Sequence, residues 1–140
     1  MAEIGNQVQY IKDVNLLNKG VLKMKYRYKD LDKKDKIRLD NARKKSFYVS
    51  YHALKRNTVF VDKEYIREVA QSGKILLYEV RENKKKGTIE EVLTIGNRKD
   101  DIIEGKEATL MVVVNITSGN ILTCYYRTRH EIVYNFCKVK

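Results

Sequence analysis

The chain has no proline, only two cysteines and two histidines, and no apolar run near the roughly 20 residues that a membrane helix needs. Without proline, no ring interrupts a helix or blocks a strand hydrogen bond. Cys124 and Cys137 belong to no CxxC pair. Two thiols do not make a disulfide framework, so both are expected to be buried and apolar. A structural zinc site needs about four Cys or His ligands. The two of each type here are scattered, so no metal and no other cofactor is implied. No Gly-rich phosphate loop and no Ser-His-Asp spacing stands out. The opening "MAEIGNQVQYIKDVN" lacks a basic end followed by an apolar stretch, so no signal peptide is expected. Together these absences lead to the expectation of a soluble protein acting in a cytoplasm.

What the chain has in excess is positive charge, +11 over 140 residues. That balance attracts polyanions: RNA, DNA, anionic lipid or an acidic protein. With no long amphipathic helix carrying a bulky apolar face, nucleic acid is favoured over membrane. The charge is concentrated: from Lys23 to Lys45, eleven Lys or Arg stand against four Asp, a net of +7. The length suits one domain, and an apolar fraction of 43% supports a core without staples.

Alternation in "KGVLKMKYRYK" sets Val21, Lys23, Lys25 and Arg27 against Leu22, Met24, Tyr26 and Tyr28, which predicts a strand with one basic face. The next segment, Leu31 to Lys45, has Leu31, Ile37 and Leu39 but no sustained apolar stripe, so a solvated helix or a mobile basic arm is expected. "VDKEYIREVAQSG" predicts a helix with Asp62 as N-cap and Gly73 as a left-handed C-terminal cap. Its Ile66, Val69 and Ala70 share one face. From "KILLYEVR" onward the periodicity is that of strands. "TSG" marks a hairpin between "ATLMVVVNI" and "NILTCYYRT", and "NRKDDIIEGKE" reads as a polar loop. "EIVYNFCKV" reads as either a fifth strand or a docked last helix. The expected class is α+β: short N-terminal helices packed on a four- to five-stranded antiparallel sheet. Residues 1–45 form a basic segment, strand plus helix or arm, and residues 46–140 the main domain.

Strict alternation along Ile121 to Arg127 puts Leu122, Cys124 and Tyr126 on one side and Ile121, Thr123, Tyr125 and Arg127 on the other. On the partner strand, Leu110, Val112, Val114 and Ile116 oppose Thr109, Met111, Val113 and Asn115. One side is then greasy and carries the helices, while the other presents hydroxyls and a guanidinium. If "SYHALKR" reaches that polar face, His52 joins Tyr125, Thr123 and the cations Lys55, Arg56, Arg98 and Lys99. Such a set suits RNA cleavage without a metal. A base takes the 2′-OH proton, a donor protonates the departing 5′-oxygen, and cations stabilise the phosphorane. The product is a 2′,3′-cyclic phosphate, which DNA cannot form. Each residue also has a plainer role: a lone histidine is often structural, Thr and Tyr are good strand formers, and Glu79, Glu82, Glu90 and Glu91 look like solvent-facing strand residues.

With these residues in hand, the region from about Phe47 to Arg127 resembles the small RelE-like proteins of the barnase–EndoU–colicin–RelE ribonuclease fold, which includes toxin domains. The resemblance is carried by Ser50, His52, Ala53 and Arg56 of "SYHALKR", the helix "DKEYIREVAQSG", and Thr123 and Tyr125 of "ILTCYYR". It departs from the family where "NTVFV" follows Arg56 in place of a second arginine. It implies His52, Thr123 and Tyr125 as catalytic residues, with Lys55, Arg56, Arg98 and Arg127 binding phosphate. The implied function is a metal-independent endoribonuclease toxin acting on RNA, with tRNA a candidate target. An acidic immunity or antitoxin protein would neutralise it. Such a protein acts freely in the cytoplasm or is delivered into a target cell within a larger toxin. The alternatives are a non-catalytic basic RNA- or DNA-binding module and a phage-type inhibitor protein on the same fold.

Overall fold

The computed structural model describes residues 23–49, 60–128 and 138–139. Its elements run β1 (Lys23–Arg27), a 3₁₀ turn (Tyr28–Asp30), α1 (Lys33–Ala42), β2 (Tyr48–Val49), β3 (Phe60–Val61), α2 (Lys63–Ser72), β4 (Lys74–Asn83), β5 (Thr88–Gly96), β6 (Asp101–Ile103), β7 (Lys106–Asn115), β8 (Asn120–Thr128) and β9 (Lys138–Val139). The main sheet has seven strands in the order β1-β4-β5-β7-β8-β2, with β6 also paired to β7. All its pairings are antiparallel except β2 with β8, and β3 pairs parallel with β9 in a small separate sheet. The mixed helix-and-sheet class is as expected, but the sheet is wider than four or five strands. The alternating basic segment adds β1 at one edge, and the polar loop contributes β6. Among the described residues no helix is long and apolar enough to cross a membrane.

Turn chemistry explains the meander. Asn83 O accepts from Gly87 N and Asn115 O accepts from Gly119 N, each at 2.8 Å, and both glycines sit at positive φ. The Asn115 side chain also accepts from Thr117 N and Ser118 N, which closes the predicted "TSG" hairpin. The turn joining β6 to β7 places Glu104 and Gly105 at φ 52° and 78°, the pattern of a two-residue hairpin turn.

Both helices pack on one face of the sheet. Ile66, Val69 and Ala70 of α2 and Leu39 of α1 are sealed against Tyr78, Leu93, Ile95, Leu110, Val112, Val114 and Cys124. Each such burial contributes roughly 1.5–3 kcal/mol for a Leu- or Ile-sized side chain. Cys124 is a free buried thiol, while Cys137 lies outside the described residues. The segment expected to be a solvated helix or a mobile arm is a helix, docked along one side. Asp32 caps α1 by accepting from Asp35 N at 2.9 Å, and Leu31 and Leu39 are buried. Arg38 grips Glu91 of β5 with both terminal nitrogens, at 2.8 and 3.2 Å, and Tyr78 donates to the same carboxylate. Glu91 thus lies under a helix, and Glu79 is also buried and bonded to Arg81, so neither is the solvent-facing residue expected from pattern. Of the C-terminal "EIVYNFCKV", only the last two residues are described, as strand β9.

Gly73 ends α2 as expected but not by a left-handed cap: its φ is −70°. Glycine is required there by closeness, because a Cβ would lie 2.6 Å from both Gly96 O and Val69 O. The buried Arg43 guanidinium donates to Gly73 O, tying α1 to the end of α2.

A second tie holds β6 and β8 to α2. Asp101 accepts from Tyr65 Oη at 2.9 Å and from Tyr126 Oη at 2.6 Å, and Asn97 Nδ2 donates to Tyr65 Oη at 2.7 Å. Burial first, and then the Asp101 carboxylate, push the Tyr65 hydroxyl from its ordinary 10.0 up to about 12. Burial and Glu91 raise Tyr78 well above the usual range too. Between pH 10 and 12 the folded chain keeps a Tyr65 proton that the unfolded chain has released, so stability must fall as pH rises through that window. Melting temperature measured from pH 9 upward should therefore drop above about pH 10, and less steeply for Tyr65→Phe. A wild-type profile that stays flat to pH 12 would contradict the described tyrosine–carboxylate pairs.

Candidate nucleic-acid interface

The sheet face away from the helices is open only in part: Val92, Thr94, Met111, Val113 and Asn115 on it are buried, while Lys74, Leu76, Leu77, Tyr125 and Arg127 border clefts. Two bulges set which residues reach it. The register of β4 shifts between Ile75 and Leu77, so Ile75 and Tyr78 both enter the helix-side core while Leu76 lines the clefts of the open face and Leu77 pairs across from Thr94 and Arg27. The register of β8 shifts at Leu122, so Val114 pairs with Ile121 and Val113 with Thr123. Strict alternation fails here: Ile121 belongs to the core, and Leu122 joins a shallow cleft on the open face beside Val92 and Asn115. Thr123, Tyr125 and Arg127 keep the expected side, paired with Val113, Met111 and Thr109.

On this face two adjoining clefts, each of about 390 Å³, share Lys74, Leu76, Met111 and Arg127 and form one groove. Leu76 and Leu77, both half-buried, supply an apolar floor above the buried Met111. Arg27, Lys29, Lys74 and Arg127 supply four cations, and Tyr125 and Thr94 supply hydroxyls. The lobe containing Tyr125 has no carboxylate among its lining residues, while the other has Asp100, which accepts from Thr109 Oγ1 at 2.6 Å. Lys29 and Lys74 make no ion pair among the described residues, whereas Arg27 is held by Asp30 at 2.8 Å. The hydroxyls of Tyr65, Tyr78 and Tyr126 are committed to carboxylates, but that of Tyr125 has no partner among the described residues. A phenol beside several cations in a partly enclosed groove can donate to an anionic oxygen, and the cations can neutralise it.

The structure brings together some of the sequence-predicted site residues. Tyr125 and Arg127 line the groove. Thr123 is on the same face but does not line it. Its Oγ1 is buried without a hydrogen-bond partner among the described residues. Arg98 is elsewhere, its Nε donating to Ser72 O at 2.9 Å at the end of α2, so it neutralises helix carbonyls and not the groove. His52, Lys55 and Arg56 lie outside the described residues. Sequence reasoning missed Lys74, Lys29 and the Leu76–Leu77 floor as parts of one site. The basic alternation of β1 was the usable signal for Arg27, but the bulge that admits Leu76 leaves no trace in "KILLYEVR".

The basic segment is divided by the sheet. Lys25 and Arg27 project from β1 on the open side, opposite the core-packed Met24 and Tyr26. The cations of α1 lie on the helix side. If nucleic acid crosses the groove, Lys29→Ala and Lys74→Ala should each weaken binding for all sequences alike. Each should also lower the slope of log affinity against log salt by about 0.7 for single strands. Charge removal at Lys33 and Lys34 of α1 should leave that slope unchanged. Equal effects from both sets, read by fluorescence anisotropy over a salt series, would show that the groove is not the binding face. No known protein family, curated protein or solved structure matches the chain.

Proposed function

We propose that the chain is a metal-independent endoribonuclease that holds RNA across the open face of its sheet. The observation that carries this reading is the meeting of the Tyr125 hydroxyl, unpartnered among the described residues, with Arg27, Lys29, Lys74 and Arg127 in one groove. In-line attack by a 2′-OH on its own phosphate builds negative charge on the phosphorane oxygens and then on the leaving 5′-oxygen. The guanidinium and ammonium groups of the rim stabilise the first charge. Tyr125 donates a proton toward the second, acting as a general acid. His52 is the base in this reading, by its resemblance to the RelE-like motif. The cationic face also suits an acidic neutralising protein, as a toxin of this type requires, acting in a cytoplasm.

A non-catalytic RNA- or DNA-binding module is the second reading. The apolar floor of Leu76 and Leu77 favours it, since such a surface holds a base but moves no proton.

Incubating the purified chain with total tRNA in EDTA separates the two. The endonuclease should yield discrete fragments with 2′,3′-cyclic phosphate ends. Tyr125→Phe and His52→Ala should each slow cleavage by about 10²- to 10⁴-fold, while RNA affinity changes by less than about tenfold. Intact RNA with a gel shift would leave the binding module, and undiminished cleavage by folded Tyr125→Phe would remove that hydroxyl from the chemistry.

A further inference from the structure

We infer that the groove seats an unpaired nucleobase of single-stranded RNA on Leu76 and Leu77 beside the Tyr125 ring, with the flanking phosphates held by the rim cations. This rests on the reading that the open face holds RNA, and it adds which form of RNA fits. An apolar floor inside a basic rim matches neither of two simpler ligands. A phosphate alone has no use for Leu76 and Leu77, and an apolar molecule has no use for Lys29, Lys74 and Arg127. A nucleotide in an unpaired strand carries both an aromatic face and a charge. A duplex buries its base faces in its own stack and presents only phosphate and sugar to such a hollow. Tyrosine is also among the side chains on which single-stranded bases stack.

Gly96 is the second observation. It lies in β5 between Leu76 and Met111, and a Cβ there would come within 3.3 Å of both the Leu76 Cδ1 and the Met111 Sδ. Its φ is outside the left-handed region, so the backbone there is one that any residue adopts. Glycine at this position keeps the floor of the groove open. The β4 bulge acts in the same sense, because it brings Leu76 to the groove alongside Leu77 where an unbulged strand would offer one residue.

The test uses fluorescence anisotropy with a short fluorescein-labelled 2′-O-methyl RNA, alone and annealed to its complement. The methyl group blocks the attacking hydroxyl, so binding is read without cleavage. The single strand should bind at least about tenfold more tightly than the duplex. Tyr125→Ala should weaken single-strand binding roughly 5- to 100-fold, while Tyr125→Phe, which keeps the ring, should change it by less than about threefold. Gly96→Val, which fills the floor from below, should weaken single-strand binding and leave duplex binding as it is. Circular dichroism and melting check that the variants fold. On the wild-type chain, 4-thiouridine photocrosslinking should attach to the peptides carrying Leu76, Leu77 or Tyr125, and this readout needs no variant. Duplex binding as tight as single-strand binding, wild-type affinity in both folded Tyr125→Ala and Gly96→Val, or crosslinks confined to α1 and α2 would each overturn the inference. Intact tRNA in the cleavage assay together with a retained single-strand preference removes the nuclease reading and leaves the base site standing. Cleavage without that preference does the reverse.

Discussion

The one-residue bulge in β4 is the constraint on which the two-faced sheet depends. A strand repeats its facing every two residues, so a slip of one would send every later side chain to the wrong side. By absorbing Leu76 as an extra residue, the bulge lets Ile75 enter the core and still delivers Tyr78 and Val80 to that core. Tyr78 then stacks on Tyr26 with ring centroids 6.2 Å apart and donates to Glu91, which Arg38 holds from α1. Without the bulge, the Tyr78 phenol would face the groove and Glu79, now paired with Arg81, would meet the helices. A buried carboxylate without its partner costs several kcal/mol, so the register is strongly selected.

The same partition separates two uses of positive charge. Arginines on the helix side are committed to the fold: Arg43 to Gly73 O and Asp40, Arg38 to Glu91, Arg67 to Phe47 O. On the open side, Lys29 and Lys74 have no such commitment among the described residues and stand around an apolar floor. A net charge of +11 therefore says less about ligand than where the unspent part of it lies. Surface lysines left unpaired beside one groove repel one another, and a polyanion relieves that repulsion by displacing their counterions.

Much of the sheet was legible in the sequence because its signals are local. β5 and β8 match the apolar runs "TIEEVLTIG" and "NILTCYYRT", and the "TSG" hairpin closes where expected. The basic strand β1 was legible from alternation alone. Illegible were features that depend on a distant partner. The bulges at Leu76 and Leu122 are settled by how many residues the neighbouring strands offer, so the facing of Ile121 and Leu122 was inverted. The docking of α1 rests on Leu39 and on the Arg38–Glu91 pair 53 residues apart in sequence, which no helical stripe announces. Gly73 was correctly placed at a helix end, but its reason, a carbonyl 2.6 Å from where a Cβ would stand, exists only in three dimensions. For the candidate site, Tyr125 and Arg127 were found by period-two reasoning. Lys74, Lys29 and Gly96 were not, because they come from three separate elements.

The central claim is that the open face, and not the helix face, holds nucleic acid. Backbone amide chemical shifts in an NMR titration with uncleavable single-stranded RNA test it most directly. The account predicts that the largest changes fall on Lys74 to Leu77, Thr94 to Gly96, Met111 and Tyr125 to Arg127, with Ile66 to Ala70 unmoved. Changes concentrated on α1 and α2, with the groove residues silent, would contradict it.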